Sequence, residues 1–298
     1  MSIKSTINQP TEFHITVSNT DLTAVMLLTQ QSNLSAQEIK QAMQKGCVWH
    51  TRGKTTQRQR RAKKSLQLGD EIHMYYNPQV LAQSVENARL ISDEGSYSVW
   101  YKPYGMLCLG SKWSDHTTIN RFVETNLKPQ RPAFIVHRLD KATTGLLVIA
   151  HSKFAARALS ASFENRHTSK HYQAVVHGDF HKALPVQEAK TENNLTINTN
   201  IDDKNAITHV SFVEYNELKN QSLLSIKIDT GRKHQIRIHL SSIGFPIVGD
   251  RLHGADELLI EGIERVDLQL CSVYLKIPCP DTLVDKEYFI DDGLKLIL

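Results

Sequence analysis

Cysteine is scarce in this 298-residue chain: Cys47, Cys108, Cys271 and Cys279 are scattered, and none forms a Cys-x-x-Cys pair. That excludes a disulfide framework and a thiolate zinc site. The 14 histidines add no pair at convincing metal-ligand spacing, so no metal is expected. Long apolar runs are also missing; nothing approaches the roughly 20 residues of a membrane span, and no membrane partner is expected. The start, Met1 to Thr6, lacks the apolar core of a secretion signal, which leaves the cytoplasm as the expected compartment. Internal repeats and low-complexity tracts are absent. What is present is ordinary for a globular protein, with 40% hydrophobic and 22% charged residues, and the length suffices for two domains.

The net charge of +4 is unevenly placed. Residues 1–76 carry 10 Lys/Arg against 5 Asp/Glu, and the remainder 25 against 26. The basic excess therefore lies wholly in the N-terminal quarter, as expected for a small polyanion-binding module attached to a larger body. Arg52, Lys54, Arg58, Arg60, Arg61, Lys63 and Lys64 follow one another with no acidic residue among them. Lys/Arg density of this kind releases counterions from phosphates, and these seven are the candidate RNA contacts of the module.

Around that run, Leu22–Leu28 suits a first helix. Residues 37–45 suit a second, with Ser35 as N-cap, Glu38 completing a capping box and Gly46 as C-cap. Cys47–Trp49 reads as a strand, 52–64 as a basic loop, Leu68-Gly69-Asp70 as a turn and Glu71–Tyr76 as a closing strand. Residues 20–76 resemble the small RNA-binding module named after a ribosomal small-subunit protein. Residues 77–96 read as a linker with one short helical stretch, and a second domain spans 97–298. Its expected elements are strands at 98–101, 133–136, 146–150, 171–176, 207–215, 221–229 and 268–277, with helices at 116–125, 153–165 and 236–243. Mixed periodicities of this kind imply an α+β fold with a mixed or antiparallel sheet. Residues 181–206, rich in Lys, Asn and Thr, read as a variable insertion.

Chemistry concentrates at His137-Arg138-Leu139-Asp140, followed by Thr143-Thr144-Gly145. A cation, a carboxylate, two hydroxyls and a glycine lie between two apolar runs. Burying a carboxylate there is costly without a partner. Asp140 either accepts backbone N–H bonds from Thr143 or Thr144 in an Asx turn, the commoner role on these residues alone, or performs chemistry.

Three further segments bear on that choice: Tyr101–Gly105, Ser169–Gly178 and Thr230–Leu240, the last continuing through Gly244–Asp250. With the Asp140 segment, and in this order, they resemble the RluA-type pseudouridine synthases over about residues 97–280. The resemblance implies a central cleft in the sheet and isomerisation of uridine within RNA without a cofactor. Asp140 would be the catalytic aspartate, by attack on the anomeric carbon, by removal of a ribose proton through a glycal, or by attack on the ring. Arg237 would pair with it, since a nearby cation favours an ionised carboxylate and a guanidinium can offer it two N–H bonds. Tyr172 would stack on the extruded uracil and Ile236 would wall the base. A target base must leave its stack to be reached, and Arg138 would enter the RNA in its place. Lys102, Arg232 and Lys233 are the remaining phosphate candidates, with His137 structural or a phosphate contact. The expected partner is ribosomal RNA, with transfer RNA second, and the expected state is a monomer. Two rivals remain. One is a non-catalytic RNA-binding protein using the same cleft. The other is a hydrolase with Asp140 as nucleophile, which no second carboxylate or Ser-His pairing supports.

Overall fold

The computed structural model describes residues 7–183, 194–254 and 266–298. It divides into two compact units, one made of residues up to Ser84 together with Leu109–Phe122, the other of Val85–Cys108 and Val123–Leu298.

The first unit begins with β1 (Thr11–Thr16), α1 (Ala24–Ser32) and α2 (Ala36–Lys45), followed by β2 (Val48–Arg52), β3 (Thr55–Arg58) and β4 (Glu71–Tyr76). The strands form an antiparallel sheet in the order β1-β4-β2-β3. Leu28, Ile39 and Met43 of the helices are buried with Val48, Ile72 and Met74 of the strands. The caps of α2 are those its sequence calls for. Ser35 Oγ accepts from the Glu38 amide at 3.2 Å, Glu38 Oε2 accepts from the Ser35 amide at 2.7 Å, and Gly46 takes the left-handed conformation at φ 84°. The expected basic loop is not wholly irregular: β3 lies inside it and pairs with β2. Residues 77–96 likewise hold more than a linker. They include the short helix α3 (Pro78–Leu81) and β5 (Arg89–Asp93), a strand of the second sheet.

The second unit is built on that sheet, ordered β10-β11-β12-β9-β13-β8-β6-β5, with β14 beside β13 and β7 beside β8. The strands are β6 (Tyr97–Lys102), β7 (Phe134–Ile135), β8 (Thr144–Ala150), β9 (Ser169–His177), β10 (Asn194–Asn198), β11 (Ile207–Asn216), β12 (Gln221–Ile228), β13 (Leu270–Pro278) and β14 (Asp285–Phe289). The helices expected at 116–125, 153–165 and 236–243 run as α4 (Ile119–Asn126), α5 (Lys153–Glu164) and α6 (Gln235–Ser242). The apolar face of β8, with Leu146, Val148 and Ala150, packs with Ala155 and Leu159 of α5 and with Leu275 and Ile277 of β13. Of the expected insertion, 184–193 lies outside the described residues, and β10 pairs antiparallel with β11.

The centre of this sheet positions the site. Strand β13 pairs parallel with β8, Cys271 opposite Thr144 and Ser272 opposite Gly145, and antiparallel with β9, Ser272 opposite Tyr172. The start of β8 and the middle of β9 are thereby brought to either side of Ser272.

Candidate active site

The turn entering β8 does not use the Asp140 carboxylate as a cap. The Thr143 amide donates to the backbone carbonyl of Asp140 at 3.2 Å, so backbone alone closes the turn. Leu139 is buried and held from both sides by Cys108, whose Sγ lies 3.4 Å from the Leu139 nitrogen and 3.3 Å from its oxygen. With Leu139 turned inward, Arg138 is exposed and the Asp140 side chain keeps 22% exposure, facing a cleft of about 740 Å³.

Arg138, Asp140, Tyr172, Ile236 and Arg237 all line this cleft, as do Arg232 and Lys233. The pairing of Arg237 differs from the expected one. Its Nε and Nη2 donate to both oxygens of Asp250, at 2.8 and 2.7 Å, and only Nη1 turns toward Asp140, 3.7 Å from Oδ2. The two-bond grip falls on Asp250, and Asp140 receives charge at a looser distance. Burial works against the charge of Arg237, but Asp250 and Asp140 together outweigh it and hold the guanidinium above its ordinary range. Asp250 also accepts from the amides of Leu252 and His253, each at 3.0 Å.

Tyr172 is buried. Burial first, and then the neighbouring Asp140, raise its phenol, while Ser272 acts weakly the other way. The phenol is therefore neutral, a flat apolar face with one donor. Ile236, at the start of α6, is buried on the same cleft.

Lys102 is not where a phosphate ligand would be. It is completely buried at the end of β6, and its Nζ donates to the carbonyls of Pro103, Met106 and Lys141 at 3.1, 2.9 and 3.3 Å. Burial pulls it down to about 8, against the pull of Cys108 and Asp140. Its position between two loops makes it an anchor for the segment that carries Asp140. His137 is structural: Nε2 accepts from the Val148 amide at 3.0 Å, the ring stacks on Phe163 with centroids 4.3 Å apart, and burial pushes it down to about 3. Arg232 donates from Nε to the Asn205 carbonyl at 3.0 Å, and Lys233 is exposed.

The seven basic residues of the first unit divide into two groups. Arg52 grips Asp70 through Nε and Nη2 at 2.8 and 2.6 Å. Arg58 lies 3.0 Å from Asp115, bonds the Ser111 carbonyl at 2.8 Å and covers the Trp49 ring at 4.2 Å. Arg60 pairs with Asp115 and bonds the Gln44 carbonyl at 2.7 Å. These three are fold cations. Lys64 lies 3.0 Å from His50 Nδ1, whereas Lys54, Arg61 and Lys63 are exposed.

Sequence reasoning passed over His234, which lines the cleft, and two residues that contact its lining, His253 and Asp250. His234 Nε2 lies 3.8 Å from Asp140 Oδ2, and its Nδ1 lies 3.0 Å from His253 Nε2. His234 and Asp250 stand inside the segments singled out above, but a histidine or aspartate in a glycine-rich stretch carries no sign of its partner when that partner is distant in sequence. Among the described residues no group of three or more His, Cys, Asp or Glu is arranged to hold a metal ion, and no helix is long and apolar enough to cross a membrane.

Residues 96–242 match the protein family described as RNA pseudouridylate synthase. An uncharacterized RNA pseudouridine synthase of Aquifex aeolicus (strain VF5) is 31% identical over 209 residues, 65% of this chain and 66% of that protein. One of Bacillus subtilis (strain 168) is 37% identical over 126 residues, 40% of each chain. The ribosomal large subunit pseudouridine synthase D of Borreliella burgdorferi is 32% identical over 208 residues, 63% of this chain and 60% of that protein. The matched regions thus span about two fifths to two thirds of these relatives. Among solved structures, human RNA pseudouridylate synthase domain containing 1 shares the fold, with a TM-score of 0.56 at 23% identity over 71% of this chain and 86% of that one.

Proposed function

We propose, from the match of residues 96–242 to the RNA pseudouridylate synthase family and the likeness to its relatives, that the chain converts uridine to pseudouridine within structured RNA. One observation carries the proposal. The Asp140 carboxylate is free of any duty in its own turn and faces the cleft between a guanidinium and a buried tyrosine. A carboxylate placed so is available to the ribose of a base that has left its stack. Arg237 brings a positive charge to within 3.7 Å of it, and Asp250 keeps Arg237 in place. Tyr172 and Ile236 offer faces to the uracil, the aromatic one worth about 1–3 kcal/mol per stacked base. Arg138 is exposed at the rim, able to occupy the gap left in the RNA. The reaction has no net redox step, so these residues need no cofactor.

The relatives' names favour large-subunit ribosomal RNA as the substrate, with transfer RNA second. We further infer that residues 1–76 are the RNA-gripping module resembling the ribosomal small-subunit protein, that Lys54, Arg61 and Lys63 are its phosphate contacts, and that the protein works as a monomer in the cytoplasm. Two capped helices against a four-stranded sheet, with exposed cations on the segment joining its strands, support that reading.

The test is tritium release from uridine labelled at C5 in unmodified ribosomal and transfer RNA. Wild-type protein releases tritium from at least one pool. Asp140→Asn abolishes release and leaves RNA binding nearly intact. A folded wild-type protein that binds RNA but releases nothing from either pool establishes the non-catalytic rival instead.

A further inference from the structure

Whatever Asp140 does at the sugar, rejoining the base through C5 leaves that carbon holding both ribose and hydrogen. Completing pseudouridine requires the C5–H bond to break. Its electron pair forms the C5=C6 bond, the C6=N1 pair moves onto N1, and N1 takes a proton from water. Some group must accept the C5 proton.

Few groups in the cleft can do so. The Tyr172 phenol holds its own proton, and Arg237 is a fixed cation gripped by Asp250. Lys102 has donated its hydrogens to three carbonyls, and His137 spends its free nitrogen on the Val148 amide. Asp229 is paired with His209 at 2.8 Å, and Glu164 is exposed at the end of α5. Lys170 also lines the cleft, with its Nζ over the Phe163 ring at 5.9 Å, whereas His234 lines it beside the Asp140 carboxylate, with Nε2 3.8 Å from Oδ2.

The backbone at His234 points the same way. It occupies the N-cap of α6 in the left-handed region, φ 55° and ψ 23°, and its side chain makes no capping bond. Ser, Thr, Asp or Asn normally stands at such a position to satisfy a helix amide, and a bulky residue there is strained. Here the strain brings no cap; it directs an imidazole toward Asp140 and a second imidazole. Arg237 and Asp140 face His234 in the cleft, Lys233 precedes it, and His253 stands behind it, with its amide bonded to Asp250.

Resting on the function proposed above, we propose that His234 Nε2 accepts the C5 proton and that His253 passes it to water. The required tautomer has the His234 Nδ1–H donating to His253 Nε2, which leaves Nε2 free toward the cleft. The imidazolium formed is stabilised by the Asp140 carboxylate beside it. It relaxes by giving its Nδ1 proton to His253, which releases its own Nδ1 proton to water. After product leaves, loss of the His234 Nε2 proton to water, return of the shared proton to His234 Nδ1 and uptake of one from water at His253 Nδ1 restore the starting tautomers. Burial holds both imidazoles below the usual histidine range, so both start neutral at pH 7.

The experiment uses the full chain on large-subunit ribosomal RNA transcribed with ordinary or 5-deuterated UTP, with pseudouridine measured by nucleoside mass spectrometry. Two variants suit the left-handed backbone, His234→Asn and His234→Gly. Both are expected to lose about 10²–10⁴-fold in rate, the ordinary contribution of a positioned acid or base, while retaining RNA binding. Deuterium at C5 should slow the variants clearly more than it slows the wild type, because proton removal has become limiting. Imidazole in the buffer should restore part of the rate of His234→Gly. Variants that turn over at the wild-type rate overturn the proposal, as does a slow pair with no added isotope effect and no rescue. A wild-type protein that makes no pseudouridine overturns the parent function, and this inference with it.

Discussion

Lys102 shows how far a residue's role can lie from its charge. An ammonium in the Lys-Pro-Tyr-Gly turn reads as a phosphate ligand, yet each of its three hydrogen bonds ends on a backbone carbonyl. One of those carbonyls belongs to Lys141, immediately after Asp140, and the Gly105 amide reaches the same oxygen at 2.9 Å. A buried charge is tolerated when its hydrogens are all matched. Lys102→Met removes the charge and strands the carbonyls. It should destabilise the protein by about 2–4 kcal/mol, the scale of losing charge-assisted bonds and leaving acceptors unpaired, readable as a shifted urea midpoint. Because the anchored loop aims Asp140, kcat should fall more than KM rises. An unchanged kcat in the folded variant contradicts the anchoring role.

At the scale of elements, the junction of β8 with β13 decides whether there is a site at all. Gly145 sits at φ 106°, and a methyl group there would lie 2.5 Å from the Ser272 nitrogen and closer still to its carbonyl oxygen. Only glycine lets the two backbones approach as the parallel pairing demands. Gly145→Ala should cost at least about 1–3 kcal/mol for the conformation alone, with the contact adding to it, and should lower the melting temperature. A variant as stable as wild type would mean that the strands part at little cost. Most elements could be read before the structure, because helices such as α5 and strands such as β8 follow their own periodicity. Strands β1, β3, β5, β10 and β14 are not legible: they are polar on an exposed face, as in Thr55–Arg58, and only their cross-strand partners define them. The site divides in the same way. Asp140, Tyr172 and Arg237 carry motifs, whereas Asp250 and His234 matter through contacts that no local pattern records.

For the whole molecule, the uneven charge and the buried histidines make separate predictions. Replacing Lys54, Arg61 and Lys63 together with alanine should weaken RNA binding uniformly. It should also flatten the plot of log affinity against log salt by up to about 2–3, at roughly 0.7–0.9 per lost phosphate contact; an unaltered slope removes these residues from the interface. Deleting residues 1–76 is the poorer test, because Asp115 would lose Arg58 and Arg60. Acid should act through the histidines. Burial holds His137 at about 3, and it also lowers His116, His151, His171, His177 and His239. Each is depressed in the folded state, so between its ordinary value near 6.5 and its folded value the unfolded chain binds a proton that the folded chain refuses. The stability they confer is complete above about pH 6.5 and declines as pH falls through that window. The depressed carboxylates Asp70 and Asp250 act only below the ordinary carboxylate range, near 4, so the interval from pH 7 to pH 5 isolates the histidines. His137 alone should account for about 2 kcal/mol of the loss at pH 5, at about 1.36 kcal/mol per pH unit below 6.5. His137→Gln keeps an acceptor for the Val148 amide but cannot titrate. Urea unfolding of both proteins at pH 7 and pH 5 should therefore show the variant losing about 2 kcal/mol less than the wild type. Equal losses would mean that His137 titrates in the folded protein as freely as in the unfolded chain, and that acid sensitivity arises elsewhere.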